Sequence, residues 1–399
     1  MLRVWKSLAA VGGSALVLGN AVGAPGDPRP APAALVTDAD LARCFDQQAG
    51  LVPFSGVLVL DRGGTGFLRT AGTTDPEEQL PVTRTTPFRL ASVQKVLTRI
   101  AIGKLVDQGR VAFDAPVGRY LQGLPAELAA VTVDQLLHHR SGVASFTRMP
   151  PDMLDKLASA STARELLPLI TAEPLEFRPG EREGYSNGGY WLLGAVIEAV
   201  TGKAYGEYLA ESIYRPLGMA ASGLVSGPET AVRKTRMLPG QPPLPTARAV
   251  RPPREPLGTP SGDGVSTADD MLKLGRALLS DTFLQPSTKA RLFPRRAGEP
   301  WRIGQSGGNI GTNTDFAVFP ESNLISVVLS NYDPPAGEAM GRVMRQAALG
   351  MGCSPIRAED MPGPGLRLGP PPAPGGPPRV GPGSGPGPVL QPGPTPPRT

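Results

Sequence analysis

Phe88-Arg89-Leu90-Ala91-Ser92-Val93-Gln94-Lys95-Val96-Leu97-Thr98 is the stretch on which the reading of the chain turns. Apolar residues recur at Val93, Val96, Leu97, Ile100, Leu105 and Val106. That is a 3.6-residue period with few charges on any side, and it predicts a largely buried helix. Ser92 sits in its first turn, and Lys95, three residues on, shares its face. A serine hydroxyl is a poor nucleophile until something takes its proton. A lysine whose pKa is lowered by burial can do that, or can hold a second base in place. The helix N-terminus adds unpaired N–H groups and partial positive charge where an oxyanion would form. Alone, Ser-x-x-Lys also fits a helix cap followed by a solvated lysine, so its meaning depends on the rest of the chain.

On the N-terminal side, Asp38 to Gln48 reads as a helix. Phe54 to Leu60 and Thr65 to Ala71 read as strands joined at Asp61-Arg62-Gly63-Gly64, a hairpin signal. On the C-terminal side, from Val111 to about Met219, the pattern is helical with irregular connections. Thr132 opens a run that stops at His138-His139-Arg140-Ser141-Gly142, and Gly188 to Val200 is an apolar helix closed by Thr201-Gly202. Tyr205 to Ile213 is a further amphipathic helix, and Ser266 or Thr267 caps another that runs to Leu279. Phe316 to Pro320 and Leu324 to Ser330 return to strand, and a last helix spans about Ala336 to Leu349. Strands at both ends with helices between them predict an α+β fold whose sheet joins sequence-distant pieces.

Composition bounds the remainder. The chain has 399 residues, 40% hydrophobic, but its 50 glycines and 47 prolines are too many for one uniform globule. Met1 to Ala24 has a basic start followed by an apolar, small-residue segment, which reads as a secretory signal peptide; residues 25–37 read as a linker. Residues 38–353 form the predicted domain, with a helical subdomain over about 111–260. Between Gly227 and Thr259 dense prolines predict a long exposed excursion, a common functional rim. Residues 354–399 read as a Pro/Gly-rich tail with too little apolar content to order itself.

The formal charge of +5 drops by two when the leader, with its Arg3 and Lys6, is removed. That balance excludes a nucleic-acid-binding reading. Two histidines and two cysteines leave little material for zinc, and no cofactor is implied. Cys44 and Cys353 either form one disulfide joining the ends of the domain or remain two thiols.

A second constellation, Phe177-Arg178-Pro179-Gly180-Glu181-Arg182-Glu183-Gly184-Tyr185-Ser186-Asn187-Gly188-Gly189-Tyr190, puts a phenol and a carboxamide on a loop before a helix. A phenol touching a lysine ammonium has its pKa lowered and can relay a serine proton. Asn187 offers an amide for both a lysine and a substrate.

The order Ser92-x-x-Lys95, Leu136-Leu137-x-His139-x-Ser141-Gly142, Tyr185-Ser186-Asn187, Gln305-Ser306-Gly307-Gly308 resembles the serine hydrolases of the class C β-lactamase and penicillin-binding protein superfamily, which includes D-amino-acid peptidases and esterases. The resemblance runs from about Phe54 to Leu349. It implies a β-lactamase/transpeptidase-like fold: an antiparallel sheet flanked by helices, an all-helical subdomain, and an active site between them. It implies Ser92 as acylated nucleophile, Lys95 and Tyr185 as the proton-transfer pair, and Asn187 as the substrate-orienting amide. The backbone N–H groups of Ser92 and Gly308 match the oxyanion donors, Gly307 lets the edge strand approach the substrate, and His139 shapes a loop.

Gln305 departs from the pattern, where Lys or His is usual. A neutral amide cannot attract a substrate carboxylate by charge. That favours an esterase or peptidase acting on substrates without a free carboxylate, unless Arg302 or the Pro-rich excursion supplies the charge. The expectation is an exported hydrolase, periplasmic, envelope-associated or secreted. It would act on esters, β-lactams or D-amino-acid peptides, with cell-wall peptidoglycan among the expected partners. The competing reading is a catalytically silent envelope-binding relative with a functional tail.

Overall fold

The computed structural model describes residues 36–361 except 76–79, 147–155, 158, 225–234, 237–243, 246–257, 263 and 310. The leader, the linker as far as residue 35, most of the Pro-rich excursion and the tail beyond 361 lie outside the described residues. The elements that frame the site are, in chain order, α1 (Asp38–Leu51), β1 (Gly56–Arg62), β2 (Thr65–Ala71), β3 (Phe88–Arg89), α2 (Gln94–Asp107), α3 (Val133–Leu137), α4 (Asn187–Thr201), α5 (Tyr205–Leu209), β4 (Gly223–Leu224), β5 (Gly264–Ser266), α6 (Ala268–Leu279), α7 (Pro286–Leu292), β6 (Ile303–Asn309), β7 (Thr312–Phe319), β8 (Leu324–Ser330) and α8 (Ala336–Ala348).

Five strands form one antiparallel sheet in the order β6-β7-β8-β1-β2, so the C-terminal strands sit beside the N-terminal hairpin. This is the α+β fold expected from strands at the two ends of the chain, an antiparallel sheet flanked by helices. The period-2 alternation of a strand decides what each face covers. Val57, Val59, Phe316, Val318, Ile325, Val327 and Leu329 enter the large core shared with α2 and the helical half. Leu58, Leu60, Ala317, Phe319, Leu324 and Val328 enter a second core under α1 and α8. Both faces are therefore buried, and β1, β8 and residues 316–319 of β7 read as near-continuous apolar runs.

Helix ends follow the sequence signals. Thr37 and Thr132 make capping boxes with Asp40 and Gln135, and Thr267 rather than Ser266 caps α6. Ser186 caps α4, which ends at Gly202 in the left-handed conformation. The run from Tyr205 is α-helical only to Leu209 and continues as a π turn to Tyr214. The helical half also carries more than helices: β4, β5 and β3 form a small sheet that ties it to the segment entering Ser92.

Cys44 on α1 and Cys353 beyond α8 are joined by a disulfide, with Cα atoms 5.7 Å apart and a sequence separation of 309. The Gln48 side chain strengthens the same closure, bonding the N–H of Ile356 at 2.8 Å and its carbonyl at 3.0 Å. Replacing Cys353 by serine is expected to lower unfolding free energy by about 2–4 kcal/mol and leave turnover unchanged. Equal denaturation midpoints for the two proteins under oxidising conditions would contradict this.

Candidate active site

The turn that carries Ser92 is held from both sides. Leu90 N–H donates to Gly264 O on β5 at 2.7 Å, and Leu90 O accepts from Thr314 Oγ1 on β7 at 2.8 Å. Between these anchors Ala91 adopts φ 43°, a left-handed conformation costing an L-residue on the order of 1–2 kcal/mol. Ser92 consequently projects from a 3-10 turn, Ala91–Val93, immediately before α2, rather than from the first turn of the α-helix. The strain is sustained by the fixed ends of the turn.

Lys95 is 0% exposed, and among the described residues its Nζ donates to these oxygens. They are Asn187 Oδ1 at 2.8 Å, the Ser261 carbonyl at 2.5 Å and Ser92 Oγ at 3.3 Å. These are one acceptor for each N–H of an ammonium. Ser261 escaped the sequence reading because a main-chain acceptor leaves no side-chain signature. It is fixed in turn by Trp191 Nε1, which donates to its hydroxyl at 3.0 Å.

Tyr185 arrives on a loop laced to the 139–146 segment. Gly184 N–H donates to His139 O at 2.8 Å, Ser186 N–H to His139 Nδ1 at 3.1 Å, and Ser186 Oγ to Ala144 O at 3.0 Å. Gly142 is required there, at φ 76° and with an added Cβ 2.1 Å from Phe177 O. The His139 ring lies 4.6 Å from that of Tyr185 and 5.2 Å from that of Tyr190. Because Nδ1 accepts a bond and burial, with the Arg99 and Lys95 charges, pushes its pKa down to about 2, His139 is neutral and supports the loop.

The phenol oxygen of Tyr185 is 2.7 Å from Ser92 Oγ. The ammonium of Lys95 lies 4.8 Å from the centre of the ring and not against the oxygen. This overturns the expected lowering of its pKa: burial of the hydroxyl pushes it up to about 12, against the opposing effect of the Ser92 bond. Tyr185 as a whole residue nonetheless remains 41% exposed.

The opposite wall is β6, the edge strand of the sheet. Its register with β7 puts Gln305 and Gly307 on the face of Phe316 and Thr314, and Ser306 and Gly308 on the other. A Cβ on Gly307 would lie 2.7 Å from both Leu90 O and Ser92 N. The glycine therefore admits the serine turn, where closeness to the substrate was expected. Gly308 makes room on the far face for Pro334. Gln305 lies two residues from Gly307 on the Ser92-facing side, its Nε2 donating to Ser306 O at 3.2 Å.

Arg302 cannot replace the missing cation. It is bound at 2.9 Å to Asp315, which Arg345 also engages on the far face of the sheet. Ser92, Lys95, Tyr185 and Asn187 are thus joined in one hydrogen-bonded group, with the glycine pair beside it. Among the described residues no cluster of histidine, cysteine or acidic side chains could hold a metal.

The sequence profile of the Beta-lactamase family matches residues 41–350. The chain is 33% identical over 264 residues to Esterase EstB of Burkholderia gladioli, covering 58% of this chain and 67% of that one. The penicillin binding protein from Bacillus halodurans superposes with a TM-score of 0.62 at 26% identity, over 74% of this chain and 95% of that one. The D-amino acid amidase from Ochrobactrum anthropi SV3, complexed with D-phenylalanine, gives 0.61 at 25% identity, over 73% and 92%. In other curated relatives the matched stretch is only 35% of their length.

Two outcomes follow from the geometry. Gly307→Ala should cut turnover by about 100-fold or more while the protein stays folded, since the methyl meets backbone on both sides; wild-type kcat would contradict the placement of β6. For His139, the unfolded state takes up a proton near pH 6.5 while the native state stays neutral down to about 2. Stability should therefore fall with pH below 6.5, by about 1 kcal/mol per unit. His139→Asn should be less stable at pH 7.5 and lose less between 7.5 and 5 in urea titrations; an unchanged difference between the two pH values would argue against a neutral His139.

Proposed function

Because the chain belongs to the Beta-lactamase family and is a serine hydrolase, we propose that it is exported and forms an acyl-enzyme on Ser92 with esters or amides that lack a free carboxylate. The observation that carries this reading is the contact of Ser92 Oγ with both the phenol of Tyr185, at 2.7 Å, and the ammonium of Lys95, at 3.3 Å. Export is supported by the leader-like composition of Met1 to Ala24 and by the disulfide, which persists in oxidising compartments.

With its pKa near 12 the phenol is protonated at neutral pH, so Tyr185 does not begin as a phenolate base. A neutral phenol can still relay. As Ser92 Oγ attacks the carbonyl carbon, its proton passes to the Tyr185 oxygen and the phenol's own proton passes to the departing alcohol or amine. Lys95 keeps its positive charge and stabilises the negative charge that grows on Oγ. The oxygen of the tetrahedral intermediate takes its hydrogen bonds from the N–H groups of Ser92 and Gly308. Hydrolysis reverses the relay, with water in place of the alcohol. Asn187, fixed by Lys95, is left to bond the substrate through its amide N–H₂.

Substrate class follows from Gln305. With an amide there and Arg302 committed to Asp315, no cation among the described residues of β6 faces a substrate carboxylate. The similarity to an esterase and to a D-amino acid amidase supports neutral acyl donors.

A fluorophosphonate probe should label the protein stoichiometrically, and Ser92→Ala should abolish labelling; labelling that survives points to another nucleophile. In a panel of p-nitrophenyl esters, amino-acid amides, nitrocefin and D-alanyl-D-alanine peptides, the neutral esters and amides should lead. Gln305→Lys should raise kcat/KM for the carboxylate-bearing members about tenfold relative to the esters, the scale of one added charge-assisted hydrogen bond. A wild-type preference for carboxylate substrates would overturn the assignment.

A further inference from the structure

The peptide unit between Gly307 and Gly308 lies inside the β6–β7 ladder, opposite Thr314 and Asn313, with glycine on both sides. In a planar trans peptide, the carbonyl of Gly307 and the N–H of Gly308 point in opposite directions. Whatever fixes one oxygen therefore aims the other group's hydrogen. The carbonyl is fixed: Asn313 Nδ2 on β7 donates to Gly307 O at 2.9 Å. Asn313 is itself 1% exposed, and its Oδ1 accepts from the N–H of Glu338 in the first turn of α8 at 2.7 Å. Since that N–H can only donate, the amide cannot be turned around, and its N–H₂ end must face the strand.

Asp315 acts in parallel two residues along β7. It is 0% exposed; Ser306 Oγ of β6 at 2.7 Å and Arg302, just before that strand, at 2.9 Å grip its Oδ1, while Arg345 engages it from α8. Both side chains thus tie the edge strand to one helix.

We propose that Asn313 is a positioning residue. By adding a side-chain donor to the Gly307 carbonyl beside the β6–β7 ladder and anchoring it to α8 through Glu338, it keeps the Gly308 N–H aimed at the oxyanion. This rests on the assignment of Gly308 as an oxyanion donor in the hydrolase reading above. Asn313 touches neither substrate nor the reacting atoms, and nothing in the Ser-x-x-Lys or Tyr-Ser-Asn motifs points to it.

The test compares wild type with Asn313→Leu, which lacks the donor, and Asn313→Asp. The aspartate keeps an oxygen for the Glu338 N–H and so preserves the start of α8. Active serine is counted by fluorophosphonate labelling, and turnover of a p-nitrophenyl ester is expressed per labelled site. Both variants should lose at least tenfold in kcat with KM within about threefold of wild type. Affinity for phenylboronic acid, whose tetrahedral adduct needs the same N–H, should fall by the factor lost in kcat/KM. A kcat per labelled serine equal to wild type in the aspartate variant would overturn the proposal. So would boronate affinity that stays constant while turnover falls. If wild type itself is neither labelled nor active, the hydrolase reading fails instead, which keeps the two failures apart.

Discussion

One buried ammonium group constrains the rest of the site. Lys95 has no solvent to hydrate it, and removing a cation from water costs several kcal/mol unless acceptors replace the lost shell. Three oxygens do so, and they come from three parts of the chain: the turn at Ser92, the loop ending at Asn187 and the segment at Ser261. The charge can be satisfied only when the helical half, the small sheet and α2 have all docked. Folding and assembly of the candidate site are therefore the same event. A misplaced loop would leave an unpaired buried charge, a penalty larger than most single packing defects.

The rigidity needed around that charge is distributed. The strained Ala91 turn is pinned by β5 and β7, and the glycine at 307 lets the edge strand press against it. His139 keeps a neutral ring under the Tyr185 loop, adding no charge that would compete with Lys95. Behind the sheet, Asn313 and Asp315 transmit the position of α8 to β6, and the segment that follows α8 is bonded through Cys353 to α1. Elements far from Ser92 thereby set distances at Ser92, which is where differential stabilisation of a transition state requires accuracy.

Much of this was legible in the sequence. The α+β class followed from strands at both ends of the chain, and the family from the order of its motifs. Period and capping residues located α1, α3, α4 and α6, because those signals are local. What escaped was non-local. The sequence marks Tyr185 but not the direction of its pKa shift, which depends on whether the ammonium meets the oxygen or the ring. It marks Gly307 but not the atom that fills the missing side chain's place. Arg302 looked available because its partner, Asp315, lies on another strand and on the opposite face. Ser261 and Asn313 carry no motif, since one acts through its backbone and the other through a carbonyl it holds.

The most direct test of the account is a crystal structure of the protein soaked with phenylboronic acid. A tetrahedral boron bonded to Ser92 Oγ is expected, with one boronate oxygen within about 3 Å of the N–H groups of Ser92 and Gly308. The Tyr185 oxygen should contact a second boronate oxygen, and Lys95 should remain on Asn187 and Ser261. Boron bound to a different side chain would contradict it, as would an adduct on Ser92 with Tyr185 and Lys95 both beyond hydrogen-bonding reach.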